Sequence, residues 1–317
     1  MVGYPGDPPS ISPGGCIMTI APLHPPPIAL DVSTIDIDAM LKKLNLANAR
    51  RNWPSLVERA EREDWSYRDF LALLVCEEVA HREQTRIQRA VRKAHFPYLK
   101  TIDEYDFSIR PKVRRSLLGS YLGPELVSEG RNLILLGRTG RGKTHLAVAI
   151  AYRAIQNGFN ALFTTAAVLI ESLSLSVRDA MFREALKVYT SPHVLVIDEI
   201  GYLTYGPDAA NVLFHVVNDR HLHHRPIIFT TNKSPFSEWG SVLHDPDLAD
   251  AIVDRVLERG RLLVLDGPSA RTRHIDHTSF GENETVHEPA KISGNDRPYF
   301  PEPTQATGGR DFFDFEW

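Results

Sequence analysis

Residues 132–144 read Asn132-Leu133-Ile134-Leu135-Leu136-Gly137-Arg138-Thr139-Gly140-Arg141-Gly142-Lys143-Thr144. A short apolar run enters a glycine-rich turn. The turn opens into a helix-forming stretch, Lys143–Gln156, closed by Asn157-Gly158. The spacing G-x-x-x-x-G-K-T between a strand and a helix is that of a loop that holds phosphate. Glycines let the backbone curl so that successive N–H groups point inward at phosphate oxygens. The helix adds the positive end of its dipole. Gly137, Arg138, Thr139, Gly140, Arg141, Gly142, Lys143, Thr144 and His145 are therefore the expected ATP-binding residues. Lys143 is expected to reach the β- and γ-phosphates, and the Thr144 hydroxyl to ligate Mg²⁺.

On both sides of this loop, apolar runs alternate with helical segments. Asn160–Thr165, Val194–Asp198, Pro226–Thr231 and Arg261–Asp266 read as further strands. Helices are expected from Ala166 to about Tyr189, from Pro207 to about Leu222, and over Asp247–Leu257. This alternation predicts an α/β fold with a five-stranded parallel sheet covered on both faces.

The run Val194-Leu195-Val196-Ile197-Asp198-Glu199 ends in two acids where ligands of parallel sheets bind. Asp198 is placed to hold Mg²⁺ through water. Glu199 is placed to orient or deprotonate an attacking water. An acid in that second position suits a hydrolase and argues against a small-molecule kinase, which needs no water activation. Thr230-Thr231-Asn232 ends the next strand. Asn232 reads as a sensor of the γ-phosphate or as an ordinary turn residue. Arg255, on the helix beyond, and Arg271 each read as a cation lent to a neighbouring subunit's γ-phosphate, or as a surface arginine.

Residues 34–95 look helical. Pro54 is expected in a first helical turn, and Ser66 as a cap with Asp69 three residues on. The last of these helices changes character along its length. Arg82, Arg86, Arg89 and Lys93 share one face, with Arg92 beside them, and Glu83 is the only acid after Glu78. Arg110, Lys112, Arg114 and Arg115 follow. Residues 42–115 hold 17 Lys or Arg against 11 Asp or Glu, a local excess in a chain with a net charge of −4. Double-stranded DNA, held mainly by its phosphates, is the expected partner of this patch. The alternative is a solvated helix face paired with Glu77, Glu78 and Glu83.

The balance of 36 basic and 40 acidic residues excludes a uniformly basic coat for nucleic acid. Two cysteines, Cys16 and Cys76, make no disulfide framework and suit a reducing cytoplasm. No apolar run approaches the roughly 20 residues of a membrane span. Residues 1–33 carry eight of the 22 prolines and read as a disordered arm; residues 276–317 carry nine acids against three bases and read as a disordered acidic tail.

Taken in order, these motifs resemble the IstB-like helper ATPases of bacterial insertion sequences, in the DnaC/DnaA branch of AAA+ ATPases. The likeness runs from about Leu41 to Arg273. It is strongest in Gly142-Lys143-Thr144-His145-Leu146-Ala147, Phe163-Thr164-Thr165-Ala166-Ala167, Val196-Ile197-Asp198-Glu199-Ile200-Gly201-Tyr202-Leu203, and Thr231-Asn232 followed by Phe236 and Trp239. Leu248-Ala249 through Asp254-Arg255, then Gly267-x-Ser269-x-Arg271, complete it. The resemblance implies an AAA+ P-loop NTPase core at 116–275, a small all-α domain at 34–115 and no C-terminal lid. It also implies ATP hydrolysis in a homo-oligomer, ring or filament, that assembles on DNA and partners the transposase of the same element. A DnaC-like helicase loader is the alternative. The deciding region is Asp36–Arg115: its helical basic form, with no cysteine cluster to bind zinc, favours the transposition reading over a zinc-bearing loader domain. Arg138-Thr139 replaces the family's Pro-containing loop start, and Arg141 adds a charge; neither removes a phosphate-binding group.

Overall fold

A computed structural model of the protein describes residues 35–109, 114–178, 181–234 and 236–267. The Pro-rich arm, the acidic tail, the expected absence of a lid, and Arg110, Lys112 and Arg271 lie outside the described residues.

Three helices come first: α1 (Ile37–Lys43), α2 (Ala47–Arg62) and α3 (Tyr67–Lys93). Short helices α4 (Gly119–Leu122) and α5 (Glu125–Ser128), not anticipated from the sequence, lead into β1 (Asn132–Leu136). The alternating part follows as α6 (Lys143–Gln156), β2 (Ala161–Thr165), α7 (Ala166–Arg178), α8 (Phe182–Thr190), β3 (Val194–Ile200), α9 (Ala209–Leu222), β4 (Ile227–Thr231), α10 (Glu238–Leu243), α11 (Pro246–Glu258) and β5 (Gly260–Val264). The five strands form one parallel sheet in the order β2-β3-β4-β1-β5. The expected α/β architecture is therefore present.

Strand alternation sorts the core into two layers. Leu133 and Leu135 of β1, Val194 and Val196 of β3, and Ile228 of β4 pack with Leu146, Ala147 and Ile150 of α6. Ile134, Leu195, Ile197, Ile227 and Phe229 face the other way, against α7, α9 and α11. Helices on both faces explain why these strands read as continuous apolar runs. Strand β2 lies at one edge, and the end of α3 reaches it: the Phe163 N–H donates to the carbonyl of Ala94, just past α3, at 2.8 Å. Arg86 of α3 also donates to the Ile155 carbonyl of α6 at 2.9 Å.

Two sequence expectations need correction. The single helix expected over 166–189 is two, α7 and α8. Both pack on the same apolar layer, so the joint leaves no break in the apolar pattern for sequence reading to detect. Pro54 is not in a first turn but inside α2. Its missing N–H deprives the Arg50 carbonyl of a helical donor. The helix starts at Ala47 because a residue distant in sequence holds it there. The Glu78 carboxylate of α3 accepts the Asn48 and Ala49 N–H groups at 3.0 and 2.8 Å. Ser66 caps α3 as expected, accepting from the Asp69 N–H at 3.2 Å.

Glu78 is 5% exposed. Burial alone would raise its carboxyl, but the Ala49 N–H, the Arg82 guanidinium at 2.7 Å and the Asn48 N–H outweigh burial and hold it below the ordinary value of 4.5. Glu78→Ala is expected to cost about 1–3 kcal/mol in a denaturant melt, because two helix-start N–H groups lose their acceptor. The sign with pH follows from the lowered value. Glu78 contributes fully above 4.5, and the contribution vanishes as pH falls through its folded-state value. Wild type and variant should therefore converge in acid; an equal gap at neutral and strongly acidic pH contradicts this role.

Candidate nucleotide site

The turn between β1 and α6 is held by two glycines in the left-handed region, Gly140 at φ 76° and Gly142 at φ 81°. A Cβ on Gly142 would also sit 3.1 Å from the Tyr105 ring. The result is a cleft at the C-terminal edge of the sheet, lined by Thr139–His145 of the loop, Glu199 near the end of β3, Tyr202 just beyond it, Thr230 of β4, and Tyr98.

Lys143 is 6% exposed. Its ammonium donates to the carbonyls of Gly137 and Arg138 at 2.8 and 3.1 Å and to the Tyr202 hydroxyl at 3.1 Å. The Thr144 hydroxyl lies 3.0 and 3.2 Å from the two Asp198 carboxylate oxygens. His145 lines the cleft, but its Nε2 is engaged with the Thr101 carbonyl at 3.1 Å and its ring packs edge-on to Tyr105.

The two acids reach one site through a backbone irregularity. In a regular strand, consecutive side chains point to opposite faces. Here β3 pairs with β4 at Ile197↔Phe229 and next at Ile200↔Thr231, so one extra residue bulges out of β3. Glu199 adopts φ 63°, an uncommon conformation for a non-glycine residue. Asp198 stays 4% exposed against Thr144, while Glu199 is exposed in the cleft. Thr230, fully buried, fixes both. Its hydroxyl donates to the Asp198 carboxylate and accepts the Glu199 N–H at 2.9 Å.

Thr230, Tyr202 and Tyr98 are lining residues that sequence reasoning did not single out. Thr230 was legible by counting: it shares a face of β4 with Ile228, the face that α6 covers. Asn232, expected as the sensor, is exposed and does not line the cleft. Arg255 does not line it either. Its guanidinium stacks on Phe214 of α9 at 4.6 Å and donates to Asn218 and to the Ala251 carbonyl.

A second concavity lies along α3, lined by Asn45, Ala47, Glu78, His81, Arg82, Thr85, Arg86, Arg89, Ala90, Lys93 and Asn160. Four of the expected DNA-binding residues, Arg82, Arg86, Arg89 and Lys93, meet there. Two of them are tied to acids, Arg82 to Glu78 at 2.7 Å and Arg86 to Glu83 at 2.6 Å. Arg92 and Arg114 are exposed but do not line this groove, and Arg115 pairs with Asp103 at 2.9 Å. Among the described residues no helix is long and apolar enough to cross a membrane.

Residues 39–278 match the family model of the IstB-like ATP binding proteins. The chain is 36% identical over 231 residues to a Geobacillus stearothermophilus protein of insertion sequence IS5376 that is named as ATP-binding; the match covers 73% of this chain and 91% of that protein. A Pseudomonas aeruginosa protein of insertion sequence IS21, named in the same way, is 32% identical over 75% of this chain and 89% of its own length. Among solved structures, DnaI is similar at a TM-score of 0.46 and 22% identity, covering 53% of this chain and 91% of that one.

Proposed function

The chain belongs to the family of IstB-like ATP-binding proteins, and on that premise we propose that it is an ATPase that helps DNA transposition, working in the cytoplasm as an oligomer on duplex DNA beside the transposase of its element. The observation that carries the reading is that Lys143, Thr144 and Glu199 line one cleft at the sheet edge, with the buried Asp198 carboxylate bonded to the Thr144 hydroxyl.

The loop N–H groups and the start of α6 receive the phosphates. Lys143 brings its charge to the β- and γ-phosphate oxygens. Thr144 and Asp198 put a hydroxyl and a carboxylate within 3.2 Å of each other, an all-oxygen set that fits Mg²⁺. The cation would neutralise charge on the β- and γ-phosphates. Glu199, one residue on and free of the sheet's alternation, orients the attacking water and takes its proton. Thr230 keeps the two acids in register. Asn232 and Arg271 remain proposed contributors to the γ-phosphate.

Arg255 of α11 is the proposed cation lent to a neighbouring subunit's γ-phosphate; its guanidinium rests against Phe214 and Asn218 of α9 and does not line its own cleft, so that role requires a second chain. The groove of α3 supplies the DNA surface, with Arg92, Arg110, Lys112, Arg114 and Arg115 as further phosphate contacts. The insertion-sequence relatives favour a transposase over a replicative helicase as partner.

One titration tests the whole reading: ATP turnover against protein concentration, with and without duplex DNA, at several salt concentrations. Turnover per chain is expected to rise with concentration and again with DNA. Duplex affinity should fall steeply with salt, whatever the sequence. Reversing charge at Arg89 and Lys93 should lower that affinity and flatten the salt slope. Arg82 and Arg86 are poorer choices, since each also holds an acid of its own helix. Turnover that ignores both concentration and DNA removes the oligomer and the DNA surface together.

A further inference from the structure

We propose that Tyr202 is a positioning residue that reads the terminal phosphate of the nucleotide; the proposal rests on the ATP reading above and goes on to say how the site tells triphosphate from diphosphate.

Tyr202 is not part of the phosphate-binding loop. It reaches the cleft because the chain turns back after β3. Glu199 at φ 63° and Gly201 at φ 85° place two left-handed residues within three positions. The turn sets the Tyr202 ring beside the Lys143 ammonium, 5.6 Å from nitrogen to ring centroid, on the wall that also carries Glu199.

Proton bookkeeping gives the hydroxyl a direction. A lysine ammonium only donates. Its three protons are accounted for by the Gly137 carbonyl, the Arg138 carbonyl and the Tyr202 oxygen at 3.1 Å. In this arrangement Tyr202 accepts from Lys143 and its own O–H is left to donate; when the ammonium turns to a phosphate, the phenol O–H can still donate, since an ionised phosphate oxygen only accepts. The nearby Thr139 hydroxyl, at 3.4 Å, is a long and replaceable partner. The cleft thus presents a cation and a directed O–H side by side, the cation from the loop and the O–H from the chain that follows Glu199. The loop amides serve phosphates common to ADP and ATP. A donor on the Glu199 wall meets the phosphate that only ATP carries, next to the residue that handles the water attacking it.

A different role makes a different prediction. If Tyr202 served only to park Lys143, removing the hydroxyl would free the ammonium and change ADP and ATP binding alike. The test is a calorimetric titration of wild type and Tyr202→Phe with ADP and with AMPPCP, which is not hydrolysed. Phenylalanine keeps the ring and removes only the hydroxyl. The expected result is about tenfold weaker AMPPCP binding with ADP binding unchanged, the size of one hydrogen bond to a charged group. Equal shifts for both nucleotides, or none, overturn the proposal while wild-type binding upholds the nucleotide site. Wild-type protein that binds neither nucleotide overturns the ATP reading, and this proposal with it.

Discussion

Glu199→Gln is expected to bind ATP about as well as the wild type and to hydrolyse it about 10²–10⁴-fold more slowly, the usual contribution of a positioned general base. The substitution is nearly isosteric, and Glu199 is exposed in the cleft, so no buried group loses a partner. The bulge that places it depends on backbone, not on the carboxylate: its N–H donates to Thr230 and its carbonyl accepts from the Tyr205 hydroxyl at 3.3 Å. The amide can still bond to a water but cannot take its proton. Binding and turnover should therefore separate, as read by single-turnover hydrolysis beside equilibrium titration. Normal turnover in this variant would remove Glu199 as the base. Asp198 offers no such separation. It is buried, bonded to Thr144 and Thr230, and its replacement would disturb geometry and cation binding together.

The parallel sheet and the phosphate loop were legible because their signals are local. A buried strand needs only a short apolar run, and a phosphate-binding turn needs glycines at fixed spacing before Lys143. What stayed hidden depends on contacts across long stretches of chain. Nothing near Ala47 announces that Glu78, some thirty residues on, starts its helix. Nothing in Asp198-Glu199 reports a bulge, and without one the two acids would face opposite sides of the sheet. The terminal threonines of β4 illustrate the middle case. The strand end was recognised as a site, but attention fell on Asn232 where the alternation of β4 selects Thr230. The basic stripe on α3 does share one face, and two of the acids named in the alternative reading, Glu78 and Glu83, hold Arg82 and Arg86, which among the described residues leaves Arg89 and Lys93 as the groove's basic residues without an ion pair of that kind.

Lys143→Ala should weaken ATP binding about a hundredfold or more, and hydrolysis with it. Two charge-assisted hydrogen bonds to phosphate oxygens are lost, each contributing about 1.5–3 kcal/mol. The structure adds a second consequence. The ammonium also ties the loop to itself through the Gly137 and Arg138 carbonyls and to the far wall through Tyr202. Without it the loop loses three tethers before any nucleotide arrives, so part of the loss is conformational. Lys143→Arg separates the two effects. It keeps the charge, but a planar guanidinium cannot reproduce a compact ammonium in a space only 6% exposed. If charge alone mattered, arginine would restore most of the affinity. If the point geometry matters, as the three short donor contacts require, arginine should recover little, and ADP should weaken alongside ATP because the β-phosphate loses its contact too. Calorimetric titration of the three proteins with ADP and AMPPCP reads this directly, and wild-type affinity in Lys143→Ala would dismantle the phosphate-loop assignment from which every other expectation for the cleft descends.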